Sequence, residues 1–163
     1  MESRAKFLGH PIDPMLIVLP LGLFITAVVF DGIDLWRGST GLATAAYWNI
    51  AAGIVGGLLA AVFGLIDWLA IPGGTRAKGI GLLHGGANVV VVVIFAVVWL
   101  TRGDAPDANP TTALFLLEAA ALVLGAVAGW LGGELVDRLG VGVDDGAHLD
   151  APSSLSGRPA RTK

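Results

Sequence analysis

Histidines and carboxylates inside or beside apolar stretches are the residues of this chain that could do chemistry. His10 and Asp13 lie three residues apart in the stretch GHPIDPM, and each is followed by proline. Ionisable side chains within long apolar segments are costly and tend to mark functional sites. Histidine is a usual axial ligand of haem iron, and His84 is the one imidazole well inside such a segment. His10 and His84 are therefore the candidate ligands of a haem-like cofactor, with haem b as the candidate.

A second group of polar residues is predicted to surround these histidines. Asn88 follows His84 by four residues, so both side chains share one helix face. Asp67 could orient a histidine by accepting its second N–H, and Glu134 is predicted at the same depth. The alternative for Asp67 and Glu134 is an interfacial carboxylate that faces lipid headgroups or pairs with Arg or Lys.

Two further acids have separate interpretations. Asp13 precedes Pro14, and this pair suits the N-cap and first position of a helix, so Asp13 is predicted to be a helix cap. Glu118 is an intramembrane acid about two turns inside the fourth apolar stretch. It could bond Asn49 or Thr26 across the bundle, or be protonated in an apolar setting.

Composition identifies the class of protein. Hydrophobic residues make up 55% of the 163 residues and charged residues only 14%, whereas soluble domains average about a quarter charged. The net charge of -3 offers no basic surface for nucleic acid. Cysteine is absent from the sequence, which excludes thiolate metal sites and iron–sulfur clusters in this chain.

Familiar catalytic motifs are also absent from the sequence. It contains no P-loop, no GxSxG, no HExxH and no dinucleotide fingerprint. No catalytic residue and no metal site is predicted, and the sequence favours a protein that is not an enzyme.

Four apolar stretches of about twenty residues each match the length of a bilayer span. Short loops between them require antiparallel neighbours, so the predicted fold is an all-α, integral membrane, up-down four-helix bundle. The chain is predicted to divide into a membrane domain, residues 1–139, and a polar tail, residues 140–163. The predicted spans are residues 14–33, 45–71, 80–100 and 112–136.

The distribution of Lys and Arg predicts the orientation. Eight of these residues fall in the N-terminus, the second loop and the C-terminal segment, and two fall in the other loops. The positive-inside rule therefore places both termini in the cytoplasm. We expect a multi-pass protein of the bacterial inner membrane.

Small residues at steps of three and four form one face on the second span and one on the fourth. Such faces allow helices to approach closely, but they could instead make room for a flat cofactor. The glycines concerned are Gly53, Gly56 and Gly64 on the second span and Gly125, Gly129 and Gly133 on the fourth.

The stretches GHPIDPMLIVLPLG, FDGIDLW, GLIDWLAIP, LHGGANVVVVVIF and GVGVDDGAHLDAPSSLSG together resemble the bacterial membrane family called domain-of-unknown-function 2231. The resemblance implies four transmembrane helices, and some relatives are joined to redox domains. The family motif commonly reads His-Pro-x-His-Pro, so His10 matches its first histidine and Asp13 stands in place of the second. Asp13 cannot supply an imidazole, which leaves His10 and His84 as the pair.

Three functions follow from these observations. The first is a non-catalytic accessory subunit or scaffold of a larger membrane complex, such as a redox complex. The second is an electron-transfer module that binds a haem-like cofactor through His10 and His84. The third is a small transporter or proton channel that uses Glu118. The expected partners are the lipid bilayer and other membrane subunits or a second copy of the chain.

Overall fold

A computed structural model describes residues 1–38 and 40–160 of the chain, and α-helices dominate it. Thr75 and Thr111 cap two of the long helices, because their side chains accept backbone N–H groups of the first turn. Gly38 ends another with a left-handed φ of 69°. The helices are α1 (Ile12–Leu16), α2 (Val18–Arg37), α3 (Thr40–Ala70), α4 (Arg76–Arg102) and α5 (Thr112–Gly133), and a π-helix, Glu134–Arg138, continues α5.

In the described part of the chain, four helical segments are long and apolar enough to cross a membrane. They are Ile12–Arg37, Gly41–Ala70, Arg76–Arg102 and Thr112–Arg138, with a mean hydropathy of 2.1 to 2.3. Large apolar side chains, including Leu58, are exposed along all four segments, as expected for surfaces that face lipid. The predicted all-α membrane bundle is therefore confirmed.

A two-stranded hairpin precedes the first span. Strands β1 (Lys6–Phe7) and β2 (His10–Pro11) pair antiparallel, and Gly9 turns between them with a φ of 85°. A Cβ at Gly9 would lie 2.7 Å from Cβ of Ser154, so the C-terminal segment rests on this turn. We call this end of the bundle, residues 1–11 and 139–160, the tail end. The opposite end, with Gly38 and residues 103–111, is the loop end.

The core is centred on two stacked phenylalanines. The rings of Phe24 on α2 and Phe95 on α4 are parallel, with centroids 4.0 Å apart. Ile50 on α3 and Ala121 on α5 bury against them. A Cβ at Gly53 would lie 2.5 Å from the Phe24 ring, so this glycine allows α2 to approach α3.

Candidate functional site

Asp67 holds the segment before the hairpin against the tail end of α3. Its carboxylate accepts the Ser3 hydroxyl at 2.6 Å, the Arg4 amide at 2.7 Å and the Ala5 amide at 3.3 Å. The prediction that Asp67 orients a histidine is therefore wrong, because its oxygens bond backbone and serine donors. Spacing along the chain could not indicate this contact, since the partners lie more than sixty residues away.

His84 packs between α4 and α5. Nδ1 lies 2.8 Å from the Ala128 carbonyl, and Nε2 lies 3.3 Å from Nδ2 of Asn88. Nδ1 therefore donates to the carbonyl while Nε2 accepts from the amide. A Cβ at Gly132 would lie 3.0 Å from the imidazole, so this glycine makes room for the ring. His84 and Asn88 therefore lie on one face of α4.

His10 lies on the surface hairpin with a different set of neighbours. It is exposed, and Nε2 lies 3.3 Å from the Ser154 hydroxyl of the C-terminal segment. Its contact is therefore with the docked tail.

A haem-like group does not fit these two histidines. Both ring nitrogens of His84 are engaged, and the ring fills the space over Gly132. The Nε2 atom of His10 is hydrogen-bonded at the exposed hairpin. An axial ligand needs a free nitrogen directed at the metal, and His84 offers none in this arrangement. The structure brings His84 together with Asn88 but not with His10.

Asp13 does not cap the first helix. α1 begins at Ile12, Pro11 occupies the N-cap, and no side chain makes a cap hydrogen bond there. The Asp13 carboxylate instead lies 3.4 Å from the position that a Cβ of Gly64 would take. It is within electrostatic reach of His84. The position that matches the second motif histidine therefore faces the bundle interior.

Glu134 pairs with Arg76 across the tail ends of α4 and α5, with Oε1 2.6 Å from Nη2. Glu134 is mostly buried and Arg76 mostly exposed. This contact is the interfacial alternative that the sequence suggested for Glu134.

The glycine face of α3 is occupied by the first span. Gly53 lies under Phe24 and Gly56 under Pro20, while Gly64 lies beside Asp13. On α3 these glycines therefore pack against residues of the first span.

The glycine face of α5 is occupied only in part. Phe115, Glu118, Gly125, Gly129 and Gly133 recur at steps of three, four and seven, so they share one side of the helix. At the loop end this side meets α2, because a Cβ at Gly32 would lie 3.0 Å from the Phe115 ring.

Toward the tail end, the same side of α5 is open. A Cβ at Gly125 would only just reach Val91, at 4.0 Å, and a Cβ at Gly129 or Gly133 would meet no described atom within 4 Å. Leu21 and Ile25, on the facing side of α2, are both exposed. Helices α2 and α5 are thus in contact near Gly32 and Phe115, and the side of α5 that carries Gly129 and Gly133 is uncovered among the described residues. We call this uncovered region the α2–α5 cleft.

A buried polar cluster closes the loop end of the bundle. Nη1 of Arg102 donates to both carboxylate oxygens of Asp31, at 2.8 and 3.1 Å. Nη2 donates to the Ala43 carbonyl at 2.8 Å and to that of Ala108 at 3.3 Å. Side-chain exposure is 2% for Arg102 and 0% for Asp31. One guanidinium therefore ties α2, α3 and α4 together.

Glu118 joins this cluster from α5. Of its two interpretations, a bond to Asn49 or Thr26 is wrong, because neither carboxyl oxygen has a hydrogen-bond partner among the described residues. The Glu118 side chain is fully buried and lies beside the Asp31 carboxylate. Thr26 instead bonds the Gly22 carbonyl of its own helix. Sequence reasoning placed Arg102 in a loop and missed its contact with Asp31. The sequence did contain one indication of the cluster, because Asp31, Arg102 and Glu118 are all predicted near the same end of the bundle.

An apolar layer separates the two polar regions. His84 and Arg102 lie eighteen residues apart on α4, so their backbones are about 27 Å apart. Phe24, Phe95 and Ile50 fill the space between them and are buried. The described residues therefore offer no polar route between the two ends. Nor do they contain a group of three or more His, Cys, Asp or Glu side chains that could hold a metal ion.

Comparisons with known proteins agree with this architecture. A family described as a predicted membrane protein, DUF2231, matches residues 9–145. The chain is also similar to glycerol-3-phosphate acyltransferase of Rhizobium meliloti (strain 1021), with 31% identity over 106 residues. That match covers 63% of this chain and 49% of the relative, so the chain spans about half the length of this curated relative. No solved structure matches the chain.

The family match covers most of the chain and includes all four membrane-spanning segments in full. It also includes the hairpin residues His10 and Pro11 that begin the resemblance noted in the sequence. This chain therefore belongs to the DUF2231 family of predicted membrane proteins.

Proposed function

We propose that this chain is a non-catalytic accessory subunit of a larger membrane complex, and that a partner's transmembrane helix packs in the α2–α5 cleft. The protein resides in the bacterial inner membrane with its tail end in the cytoplasm, as the distribution of Lys and Arg favours. The open glycines of α5 are the observation that carries the proposal.

The first support is that the polar side chains near the tail end are engaged in holding the fold. His84 bonds α5, Asp67 holds the N-terminal segment, and Glu134 pairs with Arg76. Groups engaged in this way are not free to bind a cofactor or to act on a substrate. This distribution favours a structural role over the electron-transfer alternative.

The second support is the spacing of the uncovered residues. Gly125, Gly129 and Gly133 follow one another at intervals of four, the pattern that lets two helix backbones approach closely in a membrane. On α3 the same kind of face receives the first span of this chain. A lipid chain needs no such spacing, so the face on α5 suits a helix.

Transport and acyl transfer are less well supported. The buried layer around Phe24 and Phe95 separates the polar regions, which disfavours a channel through one copy of the chain. The acyltransferase match covers only 49% of that relative, and His10 and His84 are both hydrogen-bonded within the fold. We therefore do not extend acyl transfer to this chain.

Native mass measurement of the tagged chain, released from its own membranes in mild detergent, tests the proposal. Gly129→Leu fills the cleft, and Gly22→Leu is the matched control, since a Cβ at Gly22 also meets nothing within 4 Å among the described residues. We expect a stoichiometric second protein with the wild type and with Gly22→Leu, and its loss with Gly129→Leu. Monomers in all three samples, or dimers of the chain itself, would contradict the proposal.

A further inference from the structure

The loop-end cluster contains more acids than bases. Asp31, Asp34 and Glu118 are each 0% exposed, and Arg102 is the cation that contacts Asp31. Both carboxyl oxygens of Glu118 lack a hydrogen-bond donor among the described residues, and so do both of Asp34. Burial of a carboxylate without a hydrogen-bond donor costs roughly several kcal/mol. The three acids are therefore not all ionised at once.

A proton completes the contact between two of these acids. Glu118 lies beside Asp31, and two carboxylates in this position cannot hydrogen-bond each other because both only accept. Asp31 receives Nη1 of Arg102 on both oxygens, so Asp31 is the ionised member. The proton then belongs on Glu118, which donates it to Asp31.

We propose that Glu118, Asp31 and Arg102 form a proton-binding site, in which Glu118 carries the proton and Arg102 keeps Asp31 ionised. The inference is independent of whether a partner occupies the α2–α5 cleft. The proton comes from the aqueous phase at the loop end, because the stacked Phe24 and Phe95 rings block access from the tail end.

The groups around Glu118 determine what happens when it loses its proton. The charged groups that face Glu118 are Asp31 from α2 and Arg102 from α4, and Asp34 from α2 lies near Asp31. From α3 the Ala43 carbonyl and Tyr47 approach Arg102. Loss of the proton leaves two adjacent carboxylates against one guanidinium, at the contact that joins α2 to α5. Alkaline pH should therefore loosen the closed end of the α2–α5 cleft.

Infrared spectroscopy of the purified full chain in lipid tests the site directly, since a protonated carboxyl group and a carboxylate absorb at different wavenumbers. We expect such a band at neutral pH, with a slow shift in D2O because the site is fully buried. Glu118→Gln should remove this component. Asp34→Asn should leave it in place, as should the exposed control Asp107→Asn.

Thermal unfolding provides a second readout that does not depend on the band. The wild type should lose stability as the pH rises, because deprotonation of Glu118 places it beside Asp31. Glu118→Gln keeps a hydrogen-bond donor and cannot lose it, so its stability should change less over the same range. A carboxyl band unaffected by Glu118→Gln, a band removed only by Asp34→Asn, or equal pH dependence in both proteins would overturn the proposal.

Discussion

Arg102, the last residue of α4, donates through Nη1 to Asp31 on α2 at 2.8 Å, and both side chains are almost fully buried. Arg102 also donates to the carbonyl of Ala43 on α3, and Asp31 also lies beside Glu118 on α5. This relationship connects all four membrane-spanning segments at one depth. A charge that the sequence assigns to a loop is thus part of the bundle interior.

Removal of the Arg102 guanidinium should destabilise the bundle strongly. Arg102→Met leaves the Asp31 carboxylate buried without its cation, and loss of one member of a buried pair costs about 3–5 kcal/mol. The double variant with Asp31→Asn should recover part of this loss, because no unpaired charge remains. Denaturant unfolding in detergent measures both, with the exposed Arg37→Met as the control. Equal midpoints for Arg102→Met and Arg37→Met would contradict the prediction.

A methyl group on α3 should disturb the contact with α2. In Gly53→Ala the new Cβ would lie 2.5 Å from the Phe24 ring, and overpacking of this kind costs about 1–3 kcal/mol. Gly22→Ala adds the same methyl in open space and should have little effect on unfolding. The smaller ring-free side chain in Phe24→Leu should relieve part of the clash. Equal unfolding midpoints for Gly53→Ala and Gly22→Ala would argue against this close approach of α2 and α3.

Asp67 should control how tightly the N-terminal segment is held. Asp67→Asn removes the charge and one acceptor oxygen, so it weakens the bonds from Ser3, Arg4 and Ala5. Amide exchange at Arg4 should accelerate by about tenfold, which corresponds to about 1.4 kcal/mol. Asp137→Asn, at an exposed position of the same end, is the control. Unchanged exchange in Asp67→Asn would show that the segment is held by other contacts.

The C-terminal segment should dock less tightly at alkaline pH, because Lys6 then loses its charge. Hydrogen bonds to Asp144 and then to Glu2 raise the pKa of Lys6 above its ordinary value. A raised folded pKa stabilises the docked state fully below the ordinary lysine pKa of about 10.4, and this stabilisation is lost as the pH rises through the folded value. Docking should therefore weaken in that range.

A spin label at position 149 measures this effect, because Leu149 is fully exposed and the chain has no cysteine of its own. Label mobility should rise with pH in the wild type. In Lys6→Gln it should be high already at neutral pH and change less. The same pH response in both proteins would exclude Lys6 as the group that titrates.

The membrane fold was predictable because it follows from the length and composition of each apolar stretch. The predicted span 80–100 lies inside α4, Arg76–Arg102, and the differences are confined to a few residues at the ends. Those ends depend on local caps such as Thr75, whose hydroxyl accepts the Lys78 amide. Hydropathy does not report such contacts.

The contacts of single polar residues were less predictable. His84 and Asn88 share a face because of helical periodicity alone, and the sequence was sufficient for that pair. Asp67 bonds a segment more than sixty residues distant, and Arg102 turns back into the bundle to reach Asp31. Such pairings depend on how whole helices are placed relative to one another, which spacing along one helix does not determine.

Site-specific photocrosslinking in native membranes tests the proposed accessory role most directly. A photoreactive residue at position 129 lies in the α2–α5 cleft, and one at position 22 lies where the described structure leaves open space on α2. The proposal predicts a discrete crosslink to another membrane protein from position 129 and none from position 22. Crosslinks from position 129 to lipid alone or to a second copy of the chain, or the same pattern from both positions, would contradict it.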